Sequence, residues 1–176
     1  MRKKSFKIIL IGDPSVGKTS IRQRYLGRGF KSTYLMTIGA DFAVKRLEID
    51  KRNIILHIWD LSGQIKFKSI RELYYDNTSG IILVYDMTNE RTLENIPLWL
   101  EEYKLNGNKF PIPIAVVGNK SDLVDSKIVE NRFTNQTKIL YDSIIPGVIF
   151  YPTSAKSGEN IEQLFMDLAR RLVDWI

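Results

Sequence analysis

The chain has 176 residues, room for one hydrophobic core but not two, and its 44% apolar and 26% charged residues make it globular, not disordered. It has no cysteine and a single histidine, His57, which excludes disulfides and thiolate metal sites, leaves little for a His-based zinc site, and fits a reducing, cytoplasmic setting. The net charge of +6 is spread among acids, as in Arg46 and Glu48 or Arg71 and Glu72, and only Arg2, Lys3 and Lys4 cluster; this is the pattern of a solvated surface, and no nucleic-acid partner is expected.

In chain order, Phe6–Ile11 reads as a buried strand ending at Gly12, with an apolar run too short for a signal peptide. A helix is expected from about Gly17 to Tyr25. Asp41–Ile49 and Asn53–Trp59 are β-rich runs joined by a polar turn, Asp50 to Arg52, so they read as a hairpin. Ile81–Tyr85, Ile114–Val117 and Val148–Tyr151 are three further buried strands, too short to cross a bilayer. Helical stretches are expected near Thr92–Tyr103 and Glu130–Tyr141. In the last helix Ile161, Leu164, Phe165, Leu168, Leu172 and Trp175 recur at helical spacing. The expected fold is α/β: a doubly wound, mostly parallel sheet of six strands with one antiparallel edge strand and five helices, a single domain over residues 1–176. Ligands of such sheets bind at the carboxyl ends of the strands.

Gly12-Asp13-Pro14-Ser15-Val16-Gly17-Lys18-Thr19 spells G-x-x-x-x-G-K-[ST] between a strand and a helix. Glycines let the backbone curl so that its N–H groups face a polyphosphate, and the helix N-terminus adds partial positive charge. Asp13, Pro14, Ser15, Val16, Gly17 and Ser20 are therefore expected beside the phosphates, although Pro14 lacks an N–H. Lys18 is expected to reach the β and γ phosphates, and the Thr19 hydroxyl to ligate magnesium.

The base is read from two later tetrapeptides. Asn119-Lys120-Ser121-Asp122 and Thr153-Ser154-Ala155-Lys156 each follow a strand. A buried Asp122 carboxylate can accept from the N1–H and 2-amino group of guanine together, and adenine offers neither donor. The Ala155 N–H can donate to the guanine O6, and the Lys120 stem can cover the ring. Ser154 and Lys156 complete the expected base contacts. Each tetrapeptide alone could be a turn. Both in this order after a phosphate loop point to guanine.

With these motifs, and with Thr-Ile-Gly-Ala-Asp-Phe (37–42), Trp-Asp-Leu-Ser-Gly-Gln (59–64) and Val-Tyr-Asp-Met-Thr-Asn-Glu (84–90), the chain resembles the Ras superfamily, most closely its Rab branch, from about Phe6 to Trp175. The resemblance implies a GTP/GDP switch with Mg2+. It makes Thr37 a second magnesium ligand that senses the γ-phosphate, and Asp60 a holder of magnesium through water. Gly63 becomes a γ-phosphate donor, and Gln64, with Lys18, the catalytic pair, Gln64 orienting the attacking water. Phe30 matches the aromatic that packs on the guanine, a core role being the alternative, and Tyr34 the residue that closes over the phosphates. Residues 32–40 and 61–75 are expected to respond to the γ-phosphate. Phe42, Trp59 and Tyr74 match an apolar triad that meets effector proteins; Trp59 alternates with Leu56 and Ile58, so it should face the other side of the sheet. Exchange factors and activating proteins are further expected partners.

The chain departs from the Rab pattern at Pro14, at Ser62 and Ile65, and at Leu61, which resembles the Arf-like branch. The stretch between Asp122 and Ser154 is also longer than is usual for a Rab. Membrane contact is expected only peripherally, at the cytosolic face, and only if a lipidated tail follows Ile176. Two readings stand: a slow, partner-stimulated GTP hydrolase used as a switch, or a nucleotide-locked binding module with little hydrolysis. Asp122 and Ala155 disfavour a third, an ATP-using P-loop enzyme. No arginine is placed by a motif to reach the γ-phosphate, Arg71 lying about two helical turns beyond Gln64.

Overall fold

A computed structural model describes residues 4–30, 36–107, 110–131 and 147–175. Its six strands are β1 (Lys4–Ile11), β2 (Ala40–Ile49), β3 (Arg52–Leu61), β4 (Gly80–Asp86), β5 (Ile114–Asn119) and β6 (Ile149–Thr153). They lie in one sheet in the order β2-β3-β1-β4-β5-β6. Only the β2–β3 pair is antiparallel. The described helices are α1 (Lys18–Tyr25), α2 (Lys68–Glu72), α3 (Glu90–Glu94), α4 (Ile96–Asn106), α5 (Ser126–Asn131) and α6 (Ile161–Asp174). With α3 and α4 taken as one broken arm, these are the five helical segments expected.

Position in the sheet explains each strand's sequence. β4 and β5 are buried at every residue, as central parallel strands covered on both faces must be, and they read as unbroken apolar runs. β2, at the edge, alternates exposed and half-buried residues and carries Lys45, Arg46 and Glu48, which discourage further strand pairing. Alternation along β1 splits the core into two layers. Ile8 and Leu10 join the layer under α1 and α6, where Tyr25 stacks on Phe165 at 3.8 Å. Ile9 and Ile11 join the layer under α4, with Ile96, Trp99, Leu100 and Tyr103. Each fully buried Leu or Ile contributes about 1.5–3 kcal/mol, so the two layers together hold the strand ends in place.

Several boundaries move. The hairpin turn is shorter than expected: Arg52 pairs with Ile49, and Asp50 and Lys51 alone turn the chain, both with positive φ. That geometry matches the right-handed twist of the flanking strands. The helix expected over Thr92–Tyr103 begins at Glu90 and breaks at Asn95, because Pro97 has no N–H to give the preceding turn and starts a new helix instead. Trp175 is exposed beyond the end of α6 and does not belong to its buried stripe. The helix expected over Glu130–Tyr141 meets the described residues only at the end of α5, its remainder lying outside them. β4, β5 and β6 run on to Asp86, Asn119 and Thr153, polar residues that hydropathy did not assign to strands. These extensions matter most, because they deliver polar groups to one edge of the sheet. No helix among the described residues is long and apolar enough to cross a membrane.

Candidate functional site

A cleft of about 540 Å³ opens at the carboxyl ends of the strands. From the phosphate loop and the start of α1 it is lined by Pro14, Ser15, Gly17, Lys18, Thr19 and Ser20. Phe30, Thr37, Gly63 and Gln64 line it from the segments on either side of the β2–β3 hairpin. Asn119, Lys120, Asp122, Ala155 and Lys156 enter from the ends of β5 and β6. Gln23 and Leu123 also line it, though no motif pointed to them, and so does Ser62, which the sequence marked only as a departure from the Rab pattern. Phe30 is 45% exposed, which rules out the core role. Tyr34 lies outside the described residues.

Four expected residues do not line the cleft. Val16 is fully buried in the core, so only its backbone serves the loop. The Asp13 carboxylate turns to α4, where its oxygens accept from Asn95 Nδ2 and Trp99 Nε1, both at 2.7 Å. Ser154 sits behind the wall and donates from Oγ to Asp122 Oδ1 at 2.6 Å. Asp60 is buried beneath Thr19 and Thr37.

Lys18 is almost wholly buried, and its ammonium donates to the carbonyls of Gly12 and Asp13, both at 2.7 Å. Burial pushes its pKa down to about 8 against the pull of Asp60 and Asp13. An arriving phosphate would raise it again. Gly17 takes a left-handed conformation at φ 99 that any Cβ would strain, and a Cβ there would also strike Asn119 Nδ2. That amide instead donates to Val16 O at 2.8 Å and ties the base motif to the phosphate loop.

Thr19 Oγ1 and Thr37 Oγ1 stand 2.8 Å apart, Thr19 donates to Asp60 Oδ2, and Thr37 reaches the same oxygen at 3.3 Å. Asp60 Oδ1 is buried and has no hydrogen-bond partner among the described residues. Burial raises the Asp60 carboxyl above its ordinary range, with Thr19 and Lys18 pulling the other way. One carboxylate and two hydroxyls, all hard oxygen donors with one oxygen unsatisfied, fit a magnesium ion that shares its shell with phosphate and water.

At the base end, Asn119 Oδ1 accepts from Thr153 Oγ1 at 3.3 Å and from the Ala155 N–H at 3.2 Å. The Ala155 N–H is therefore engaged within the protein, and Asp122 stands exposed at the rim instead of buried. Lys120, at φ 67, donates to Asp86 Oδ2 at 2.5 Å. Arg24 of α1 donates to Ala155 O at 2.8 Å and also to Lys156 O. Asp86 and Arg24 received no role from the sequence. A carboxylate ending an otherwise apolar strand was the available signal for Asp86.

The second segment is braced from behind. Arg71, 2% exposed, makes paired bonds to Glu102 of α4, Nε to Oε1 at 2.8 Å and Nη2 to Oε2 at 3.0 Å. Its Nη1 donates to Ser62 O at 3.2 Å and Gln64 O at 2.9 Å, and its guanidinium lies 4.6 Å over Trp99. Tyr75 Oη donates to Glu102 Oε1 at 2.5 Å. Burial opposes the Glu102 charge, but the bonds from Arg71 and Tyr75 win and hold its carboxyl below the usual range. Residues 65–67 form a 3-10 turn that runs into α2 at Lys68, and the long Arg71 side chain reaches back along these turns to the Gln64 carbonyl. These guanidinium hydrogen bonds all go to protein oxygens, and Arg71 does not line the cleft.

Phe42, Trp59 and Tyr74 form one aromatic surface, with ring centroids at 4.7 and 4.8 Å. Leu56 and Ile58 lie in the opposite core layer from the one Trp59 packs against, as the alternation requires.

The profile of the Ras family matches residues 7–174. The chain is 38% identical over 168 residues to the Ras-related protein Rab-8B of Homo sapiens and to that of Pongo abelii, a match spanning 96% of this chain and 78% of each relative. It is 41% identical over 169 residues to the Ras-related protein Rab-1D of Dictyostelium discoideum, spanning 94% of this chain and 78% of that protein.

Proposed function

The chain belongs to the Ras family of small GTPases, and from that premise we propose that residues 1–176 are one Rab-like nucleotide-binding domain that binds GTP or GDP with magnesium, hydrolyses GTP slowly, and presents a different surface in each state. The observation that supports this best is the cleft: a phosphate loop and a base motif share it, and beneath its Thr19 and Thr37 lies a buried carboxylate with one unsatisfied oxygen. Thr19, Thr37 and Asp60 would hold the ion. Magnesium, when bound, supplies neutralisation of the charge on the β and γ oxygens. Lys18 would grip the same phosphates, and the Gly63 N–H would bind the γ-phosphate. Gln64 would orient a water toward the γ-phosphorus; as the new P–O bond forms, the bond to the β-phosphate oxygen breaks, leaving GDP and inorganic phosphate.

Asp122 would select guanine, with Lys120 held over the ring by Asp86. The Phe42, Trp59 and Tyr74 surface, beside both switch segments, would meet effector, exchange-factor and activating proteins. Membrane contact would be peripheral, from the cytosolic side. Among the described residues no arginine side chain lines the cleft, so full rate would need one from a partner, and its absence costs on the order of 10³ to 10⁵ in rate. The exposed Pro14 ring on the cleft wall beside Gln64 is a second brake.

The test is affinity for GTP, ATP and XTP with magnesium, together with single-turnover hydrolysis. The unmodified protein should prefer GTP, and Asp122→Asn should turn preference to XTP by roughly 100-fold, as the loss of a matched polar pair requires. Equal affinity for ATP and GTP would overturn guanine selection. Tight GTP binding without turnover, even with an activating partner, would favour the locked binding module.

A further inference from the structure

The network that joins α4 to the second switch is not needed for nucleotide contact, yet it grips the segment that makes that contact. We infer that Arg71 is a positioning residue, charged and locked by Glu102 and Trp99, that aims the Gly63 N–H and seats Gln64 before any γ-phosphate arrives.

The argument starts from the peptide bond. Ser62 O and the Gly63 N–H belong to one planar trans amide and point in opposite directions. Arg71 Nη1 binds Ser62 O from the side of α4, so the Gly63 N–H is turned away from α4. Gly63 lines the cleft and Arg71 does not, so that direction is toward the cleft. The same nitrogen binds Gln64 O, which fixes the peptide after Gln64 as well. On its other side Gly63 packs on the phosphate loop so closely that a Cβ would lie 2.6 Å from Pro14 N. Two carbonyls flanking Gly63, those of Ser62 and Gln64, gripped by one guanidinium nitrogen, and a glycine pressed on the loop from the other side, leave this backbone little freedom.

What makes the grip rigid is the support behind it. Glu102 takes the two remaining edges of the guanidinium in a fork-to-fork pair, the geometry that fixes direction as well as charge. Tyr75 saturates Glu102 from a third side, and the guanidinium plane lies over the Trp99 ring. Trp99 in turn donates to Asp13 of the phosphate loop, and Asn95 donates to the other Asp13 oxygen. The phosphate loop and the second switch are therefore referenced to the same helix.

The inference rests on the nucleotide-switch reading above. If the second switch is set in advance, ordering it costs GTP little, and that saving should disappear without the grip. Arg71→Lys keeps a cation for Glu102 but cannot fork between a carboxylate and two carbonyls. Affinities of this variant for GDP and for a non-hydrolysable GTP analogue should part. The analogue should bind roughly tenfold more weakly, the size of one charged hydrogen bond, and GDP, which offers Gly63 no phosphate, should change by less than about twofold. Glu102→Gln, which keeps the shape and removes the charge, should move the same ratio in the same direction should Arg71→Lys fail to fold. A fall in Tm with both affinities unchanged, or both weakened alike, would make the network a stability brace and overturn the inference. Failure of the unmodified protein to bind any guanine nucleotide would instead overturn the switch reading, and the two failures are told apart by that control.

Discussion

The two segments flanking the phosphate end of the cleft are held in opposite ways. Near the first, the Thr37 hydroxyl meets Thr19 and Asp60, groups expected to bind the ligand themselves, while Met36 and Ile38 beside it are exposed, Ile38 by 81%. The second carries Gly63 and Gln64, and the carbonyls of Ser62 and Gln64 are gripped by Arg71 of α2, itself held by Glu102 of α4, a helix that does not line the cleft. Thr37 can be released and recaptured through groups the nucleotide brings with it. Gly63 answers to the protein. The difference teaches that a γ-phosphate can be sensed chiefly by one segment and merely met by the other.

The largest expected effect tests the part common to both. Lys18→Ala removes the cation that serves GDP and GTP alike, so it should weaken both by about 100-fold or more, the cost of stripping a buried charge from its partners. Calorimetric titration checks this, and a loss confined to GTP would move Lys18 from the shared floor to the sensing side of the comparison.

Gln64→Leu comes next. It should slow single-turnover hydrolysis on the order of 10- to 100-fold while leaving GTP affinity nearly unchanged, because a misplaced water costs rate and not binding. A rate unaffected by the substitution would show that seating Gln64 serves no catalytic purpose. Trp59→Ala, on the aromatic surface beside both segments, should weaken a captured partner about tenfold or more, as loss of a central aromatic anchor does. Falling stability with partner affinity intact would assign Trp59 to packing.

The smallest effect comes from pH. The Glu102 carboxyl is lowered in the folded protein, so its contribution is fully present above its unfolded value, about 4.3, and is lost as pH falls through the lower folded value. Amide protection of residues 61–64 should therefore persist at neutral pH and fade only below about pH 4. Protection lost between pH 5 and 7 would show that something other than Glu102 holds the segment.

The same contrast explains what could be read from the chain alone. The phosphate loop and base tetrapeptides were legible because their chemistry is local: backbone N–H groups, a lysine and a hydroxyl must follow one another at fixed spacing. The alternation around Trp59 placed it on the correct face for the same reason. The brace was not legible, because Arg71 and Glu102 are 31 residues apart and Asp13 and Trp99 are 86 apart. Arg71 and Glu72 looked like an ordinary solvated charge pair, yet Arg71 is buried and spent on α4. Strand ends were missed where function made them polar, at Asp86, Asn119 and Thr153. A proline inside an amphipathic run hid the break at Asn95.

Hydrogen exchange of the magnesium-bound protein with GDP and with a non-hydrolysable GTP analogue tests the switch most directly. The account predicts that residues 36–40 gain strong protection with the analogue, while residues 61–64, already held by Arg71, gain markedly less. Equal protection of residues 36–40 in the two states would mean that the γ-phosphate is not sensed there, and would contradict a nucleotide-dependent switch.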